Sequence, residues 1–385
     1  MSWPMVSIES VAKVITGKTP PKADPNCFGG NIPFITPSEL TDSDYLLKPE
    51  TMLTEKGLAT TKLIPKNSIL VCCIGSLGKM AIADLPVATN QQINSVIFDD
   101  DKIYYRFGFY ALKLLKNDLK KIAPSTTVAI INKSRFSELK IPCPPLEEQK
   151  RIATILDKAD GIHKKREQAI KLADDFLRAK FLEMFGTPAN NIHRFPKGTI
   201  RDLVDSVNYG TSAKASIDSG EYPILRMGNI TYQGRWDFTD LKYLDLSVKE
   251  KDKYLVKEGD LLFNRTNSKE LVGKTAVYEE DRPMAFAGYL IRVRPNSIGN
   301  NYYISGYLNS IHGKITLMNM CKSIVGMANI NAQELQNIEI LIPPKHLQDE
   351  YEIIYKKIKK GLSIYDKSAM QLQLLASNLS NKYFM

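Results

Sequence analysis

Short apolar runs and longer periodic segments alternate along the chain, and their order occurs twice. Runs such as "SILVCCI", "NSVIF", "DLLFNR" and "YLIRVR" are rich in β-branched or aromatic residues and lie between Gly, Pro and Asn, which predicts strands. "YYRFGFYALKLLKNDLKKI" and "NYYISGYLNSIHGKITLM" instead carry apolar residues at helical spacing. The longest periodic segments each follow a pair of prolines. Pro144 and Pro145 suit the start of a helix, where a missing N–H is no loss, and Glu147 and Glu148 complement its positive end. "FGTP" at 185–188 supplies a Gly-then-Pro stop. About 41 residues at 1.5 Å each predict a rod of roughly 60 Å. Its apolar face holds Ile152, Ile155, Ala159, Ile162, Ala169, Ala173, Phe176 and Met184. A second rod follows Pro343 and Pro344, where Leu347, Tyr351, Ile354, Ile358, Leu362, Tyr365, Ala369, Leu372, Ala376, Leu379 and Tyr383 step by threes and fours, close to a heptad stripe.

The two halves align on themselves. "INKSRFSELKIPCPPLEEQ" from Ile131 lies over "INAQELQNIEILIPPKHLQ" from Ile330, and Asn132–Asn331 and Gln149–Gln348 share one spacing of 199 residues. Upstream, "NIPFITPSEL" answers "EYPILRMGNI", and "LIPKNSILVCCIGSLGKMAI" answers "YLVKEGDLLFNRTNSKELVGKTAV", with loop insertions shifting the offset. A repeat this long is a duplicated domain rather than a solenoid, whose periods run to roughly 50 residues. The expected architecture is α+β, with an internal pseudo-two-fold repeat and two mixed α/β globules at 1–143 and 187–342. Long helices at 144–186 and 343–385 join them as an antiparallel, coiled-coil-like pair. Gly161 and Gly361 lie mid-rod, where each costs about 1 kcal/mol relative to Ala, so close packing or a bend is expected there.

Composition narrows the function. The 385 residues carry 52 Lys and Arg against 42 Asp and Glu, a net charge of +10 that favours an anionic partner. Five cysteines without a C-x-x-C argue against a disulfide framework or zinc knuckle and fit a reducing, cytoplasmic setting. No run of about 18 apolar residues predicts a membrane span, and the N-terminus lacks the pattern of a secretion signal. "SKELVGKT" at 268–275 is not a phosphate-binding loop, because Ser268 replaces its first glycine; it and "CIGSLGKM" are expected to be tight turns. His163, His193, His312 and His346 are scattered, with no metal-ligand spacing. A basic, duplicated chain without a catalytic constellation is expected to read something anionic in two parts. The competing expectation is a protein-interaction scaffold whose charge is incidental.

"PPLEEQKRI" leading into a long helix, repeated after a second globule, resembles the specificity subunits of type I restriction-modification systems. The resemblance runs from "VAKVITGKTP" through "PFITPSEL" and "TNQQI" to the terminal rod. It implies two target recognition domains, each reading half of a bipartite site in double-stranded DNA. It also implies two methyltransferase (modification) subunits docked along the helices and a translocating restriction subunit beside them. No cofactor is expected in this chain; S-adenosylmethionine, ATP and Mg would belong to those partners. Lys345, His346 and Leu347 stand where the first copy has Leu146, Glu147 and Glu148, which implies docking faces that differ.

The loops offer residues of the kinds that contact DNA. In the first half these are Lys18, Thr19 and Lys22, then Thr36 and Ser38, then Ser76 and Lys79. Asn90, Gln91 and Gln92 in "TNQQIN" resemble a family position facing DNA, where Gln is a natural partner of adenine; equally, such amides can satisfy the backbone of a tight turn. The second half offers Arg226 and Asn229, then Asn264, Arg265, Asn267 and Lys269, then Lys274, with Arg265 suited to guanine or to phosphate. "AFAGYLIR" replaces "ATNQQINS" there, so the two half-sites are expected to differ.

Overall fold

A computed structural model describes residues 3–41, 44–46, 49–122, 129–321 and 327–362. The chain divides into two compact units, the first running to Lys164 and the second beginning at Lys165. The first contains β1 (Met5–Ser7), β2 (Ala12–Thr16), β3 (Phe28–Ile35), β4 (Thr51–Leu53), β5 (Ile69–Cys72), β6 (Met80–Ile82), β7 (Ala88–Thr89), β8 (Ile93–Phe98) and β9 (Lys140–Pro142). The second contains β10 (Lys197–Thr199), β11 (Val204–Tyr209), β12 (Tyr222–Leu225), β13 (Lys242–Leu244), β14 (Leu261–Asn264), β15 (Thr266–Asn267), β16 (Thr275–Val277), β17 (Ala285–Phe286), β18 (Leu290–Pro295), β19 (Ala328–Asn329) and β20 (Glu339–Leu341).

Three sheets are duplicated in the two units, and the second adds a short β15-β19 pair. A four-stranded antiparallel sheet has the order β2-β8-β5-β6 in the first unit and β11-β18-β14-β16 in the second. A three-stranded sheet, β4-β3-β7 or β13-β12-β17, joins one antiparallel and one parallel pair in each case. The first strand of each unit pairs with its last, β1 with β9 and β10 with β20. Residues of β5 alternate between two cores, Ile69 and Val71 in one, Leu70 and Cys72 in the other. This two-sided burial explains the unbroken apolar run "ILVC". The five cysteines are free thiols; Cys27, Cys72 and Cys73 are buried, and burial pushes the Cys73 thiol up to about 12.

The expected helical segments are present, each as two pieces: Tyr105–Leu114 with Lys116–Ile122, and Asn301–Asn309 with Ile311–Met320. The first long helix spans Leu146–Phe185, and Gly186 ends it at φ +69° with its N–H on the Leu182 carbonyl. The second is helical over 345–362 within the described residues. Its start differs from that of the first as the sequence suggests: Glu147 and Glu148 pair with Lys150 and Arg151, whereas Lys345 pairs with Asp349.

Each helix is fixed to its unit by one buried glutamine. Gln149 Nε2 donates to the Lys102 and Pro144 carbonyls, both at 2.8 Å, and its Oε1 accepts from the Tyr104 N–H. Gln348 Nε2 donates to the Ile298 and Pro343 carbonyls at 2.9 and 2.8 Å. Both side chains are fully buried. Gln149→Ala strands one N–H and two carbonyls, so it should cost about 1–3 kcal/mol; a denaturation midpoint within error of wild type would contradict that role.

Within the second unit the two long helices touch. Phe181 and Phe185 lie 5.3 and 5.9 Å, ring to ring, from Tyr351, with Tyr303 beneath them. Asp174, about two turns before Phe181, shares a small cavity with Tyr355, one turn beyond Tyr351, so the helices run oppositely along this stretch. The pairing expected over their whole length involves residues 363–385, which lie outside the described residues. At Gly161 and Gly361, where close packing or a bend is expected, a Cβ would meet nothing within 4 Å among the described residues. No helix among the described residues is long and apolar enough to cross a membrane.

Candidate nucleic-acid interface

The loops carrying the expected contact residues converge at one end of each unit, because the strands that end there are neighbours. In the first unit Thr16 pairs with Asn94, Cys72 with Ile93, and Ile35 with Thr89. Four backbone hydrogen bonds then tie the loops together: Gly17 N–H to the Ile93 carbonyl, Lys18 to Thr89, Asn90 to Ile35, and Cys73 to Gln92. The second unit repeats all four, from Gly210 to Leu290, Thr211 to Phe286, Ala287 to Leu225, and Arg265 to Tyr289. Glycine is required where the first of these forms, since a Cβ at Gly17 or Gly210 would lie 2.1–2.2 Å from a backbone carbonyl. The bonds also fix which positions correspond: Lys18 with Thr211, Cys73 with Arg265, Asn90 with Ala287, and Gln92 with Tyr289. The frame is common and the side chains on it are not.

At the first unit's tips, Lys18, Lys22, Ser38, Ser76, Lys79 and Gln91 are exposed. Thr19 Oγ1 donates to Gln91 Oε1 at 2.6 Å, which joins two of the loops. Three of the expected residues are engaged within their own turns. Asn90 is buried, its Oδ1 accepting the Gln92 N–H and its Nδ2 donating to Gln92 Oε1, so it shapes the turn that presents Gln91. Thr36 Oγ1 and Ser38 Oγ both donate to the buried Glu39 carboxylate, which also accepts the Thr36 N–H, so these hydroxyls cap their own turn. The 73–79 segment is the expected tight turn, with Gly78 at φ +77° and Gly273 at +75° in its counterpart.

At the second unit's tips, Asn229 is buried, its Oδ1 accepting the Arg226 N–H and its Nδ2 donating to the Asp237 and Asp240 carbonyls. Lys274 is buried with its ammonium on the Met227 carbonyl at 2.8 Å, and burial lowers its pKa. Asn264 is wholly buried, and neither end of its amide has a partner among the described residues. These three support the loops rather than face outward. The strand register gives Asn264 the place of Cys72, so Asn264→Cys removes an unsatisfied buried amide at nearly constant volume. A gain of about 1–3 kcal/mol is expected, and an unchanged or lower unfolding midpoint would refute it.

Arg226, Arg265 and Asn267 remain half-exposed and Lys269 exposed. Arg226 donates to the carboxylate and carbonyl of Asp240. Asn267 accepts the Ser268 N–H. The Arg265 guanidinium lies 4.9 Å from the centre of the Tyr209 ring, whose hydroxyl accepts the Ala332 N–H at 2.9 Å. The Arg265 backbone is held on both sides, by the Tyr289 carbonyl and the Ile330 N–H. The site thus offers a pre-oriented planar cation, suited to paired acceptors on a base edge or a phosphate. Sequence reasoning missed Tyr209, which lies in no segment singled out, and the exposed Tyr289, which read as the start of the apolar run "YLIRVR". Among the described residues no group of three His, Cys, Asp or Glu side chains could hold a metal ion.

The duplication is matched by one family model. The model of the type I restriction modification DNA specificity domain matches residues 2–172 and again residues 195–376. The chain belongs to that family. It is similar to the MjaIX specificity subunit of Methanocaldococcus jannaschii, 23% identical over 99% of this chain and 92% of the relative. It is equally similar to the EcoKI specificity subunit of Escherichia coli K12, 23% identical over 98% and 86%. The HindI specificity subunit of Haemophilus influenzae is 31% identical over 43% of this chain and 38% of its own. In fold, the chain resembles the S subunit of a type I restriction-modification system from M. genitalium, with a TM-score of 0.65 at 17% identity over 100% and 96% of the two chains.

Proposed function

We propose that the chain is the DNA-reading subunit of a cytoplasmic type I restriction-modification complex, with no reaction of its own. Each unit reads one half of an asymmetric bipartite duplex site. The long helices set the spacing and dock two modification subunits, which a restriction subunit joins; S-adenosylmethionine, ATP and Mg bind to those partners. The observation that carries this reading is the set of four backbone bonds repeated at both loop ends under different side chains. A common frame positions both units in the same way, and the exchanged residues select different bases.

Lys18, Thr19, Lys22, Ser76, Lys79, Gln91 and Gln92 form the first unit's reading surface, with Thr36, Ser38 and Asn90 shaping it. Arg226, Arg265, Asn267 and Lys269 form the second's, supported by Asn229, Asn264 and Lys274. Methylation profiling of a host carrying this chain and its partners should return two unlike half-sites at a fixed gap. Shortening both long helices by equal whole turns should change that gap and leave both half-sites unaltered. An unchanged gap would contradict the spacing role, and an absence of salt-sensitive binding to any bipartite duplex would favour the scaffold.

A further inference from the structure

A cleft of about 600 Å³ opens at the loop end of the second unit. Arg226, Lys242 and Lys274 surround an apolar lining that includes Ile224 and Leu271, and Tyr289 on its wall is 55% exposed. Its lining contains no carboxylate. Lys274 is held inward on a carbonyl and Arg226 is held by the exposed Asp240, while Lys242 makes no ion pair among the described residues. Among the described residues the first unit does not show this arrangement. Strand register sets Thr51 opposite Phe34 where Lys242 stands opposite Ile224, Thr36 follows β3 where Arg226 follows β12, and Lys79, the counterpart of Lys274, is exposed.

We propose that this cleft clamps the sugar–phosphate backbone of one DNA strand, an anchor without a counterpart among the described residues of the first unit. Lys242 and Arg226 take phosphate oxygens, Lys274 holds the cleft open in shape and charge, and the Tyr289 ring packs against the adjoining deoxyribose. The chemistry favours a phosphodiester: a single negative charge for Lys242, which makes no ion pair among the described residues, joined to an apolar sugar for the apolar wall. The cleft also adjoins Asn267 and the turn that carries Arg265, so backbone and base contacts would fall on one strand segment. The inference rests on the DNA reading proposed above.

The test uses the chain assembled with its modification subunits and a duplex bearing both profiled half-sites, titrated over a range of salt. Lys242→Ala should lower the slope of log K against log salt by about 0.9, the contribution of one phosphate, and weaken every base variant of the second half-site alike. Replacing single phosphates near that half-site by neutral methylphosphonates should reproduce the loss in wild type and add nothing in Lys242→Ala. Tyr289→Phe should bind as wild type does and Tyr289→Ser should not. Normal binding with an unchanged salt slope overturns the clamp and leaves the reading of DNA intact, as does a free deoxynucleotide that binds through Lys242 without displacing the duplex. Failure of the wild-type assembly to bind any duplex overturns both.

Discussion

Arg106→Met should destabilise the first unit by about 3–5 kcal/mol, because it breaks a buried charge cluster and leaves a carboxylate stranded. Arg106 is 5% exposed in the helix Tyr105–Leu114, and its guanidinium donates to Asp157 on the long helix and, at 3.4 Å, to Asp44. Tyr110 adds a 2.7 Å hydrogen bond to Asp157, and Lys164 reaches Asp44 at 3.2 Å. Burial pulls the Arg106 pKa down, but Asp157, Tyr110 and Asp44 together raise it above its ordinary value. Asp44 is only 6% exposed, so without Arg106 its charge rests, among the described residues, on Lys164. The two tryptophans give a clean measurement, since Trp3 lies in the first unit and Trp236 in the second. With the other tryptophan changed to Phe in turn, the transition reported by Trp3 should move to lower denaturant and that reported by Trp236 should stay. A shift of under about 1 kcal/mol would mean the cluster contributes no more than an exposed ion pair. Adding Asp44→Asn should recover part of the loss.

Arg265→Ala should relax the choice of one base pair in the second half-site and weaken binding there by about 10- to 100-fold, the 1–3 kcal/mol of a bidentate base contact. The first half-site should be read as before. Pre-orientation is what makes the loss large: the guanidinium already lies over Tyr209 and its backbone is bound on both sides, so little freedom remains to be lost on contact. Arg265→Lys should therefore fail to restore the preference, because an ammonium lacks the planar fork. Tyr209→Phe keeps the ring and should keep the preference, whereas Tyr209→Leu should reduce it. The measurement is base selection from a duplex pool randomised over the second half-site. An equal loss on every sequence would make Arg265 a phosphate contact instead.

The frame was legible in the sequence because its signals are local and strong. Paired prolines, the 3.6-residue period and the glycine stop set the long helix within two residues of Leu146–Phe185. Gln149 and Gln348 anchored the alignment because each bonds the carbonyl five residues before it, which holds their spacing from the prolines fixed. The tips were harder to read, because a polar loop residue can face solvent or turn back onto its own backbone with the same spacing. "TPSE" carries the pattern of a self-capping turn, and Thr36, Ser38 and Glu39 close it. In the second copy Arg226 and Asn229 occupy the same turn, so Asn229 could have been set aside on that ground. Asn264 gave no such warning. Only the register that equates it with Cys72 shows it to be interior. Lys242 escaped notice because the strand that holds it was aligned with nothing in the first half.

The burial of three thiols in one unit has a practical consequence. Alkylating reagents attack the thiolate, and Cys73, pushed up to about 12 inside the sheet beside Cys72, presents almost none at neutral pH. Modification of Cys27, Cys72 and Cys73 must then wait for their surroundings to open, so the count of mass tags acquired over time becomes a clock for excursions of the first unit from its native state. That clock is native to the chain and would run differently when a partner or a duplex restrains the unit.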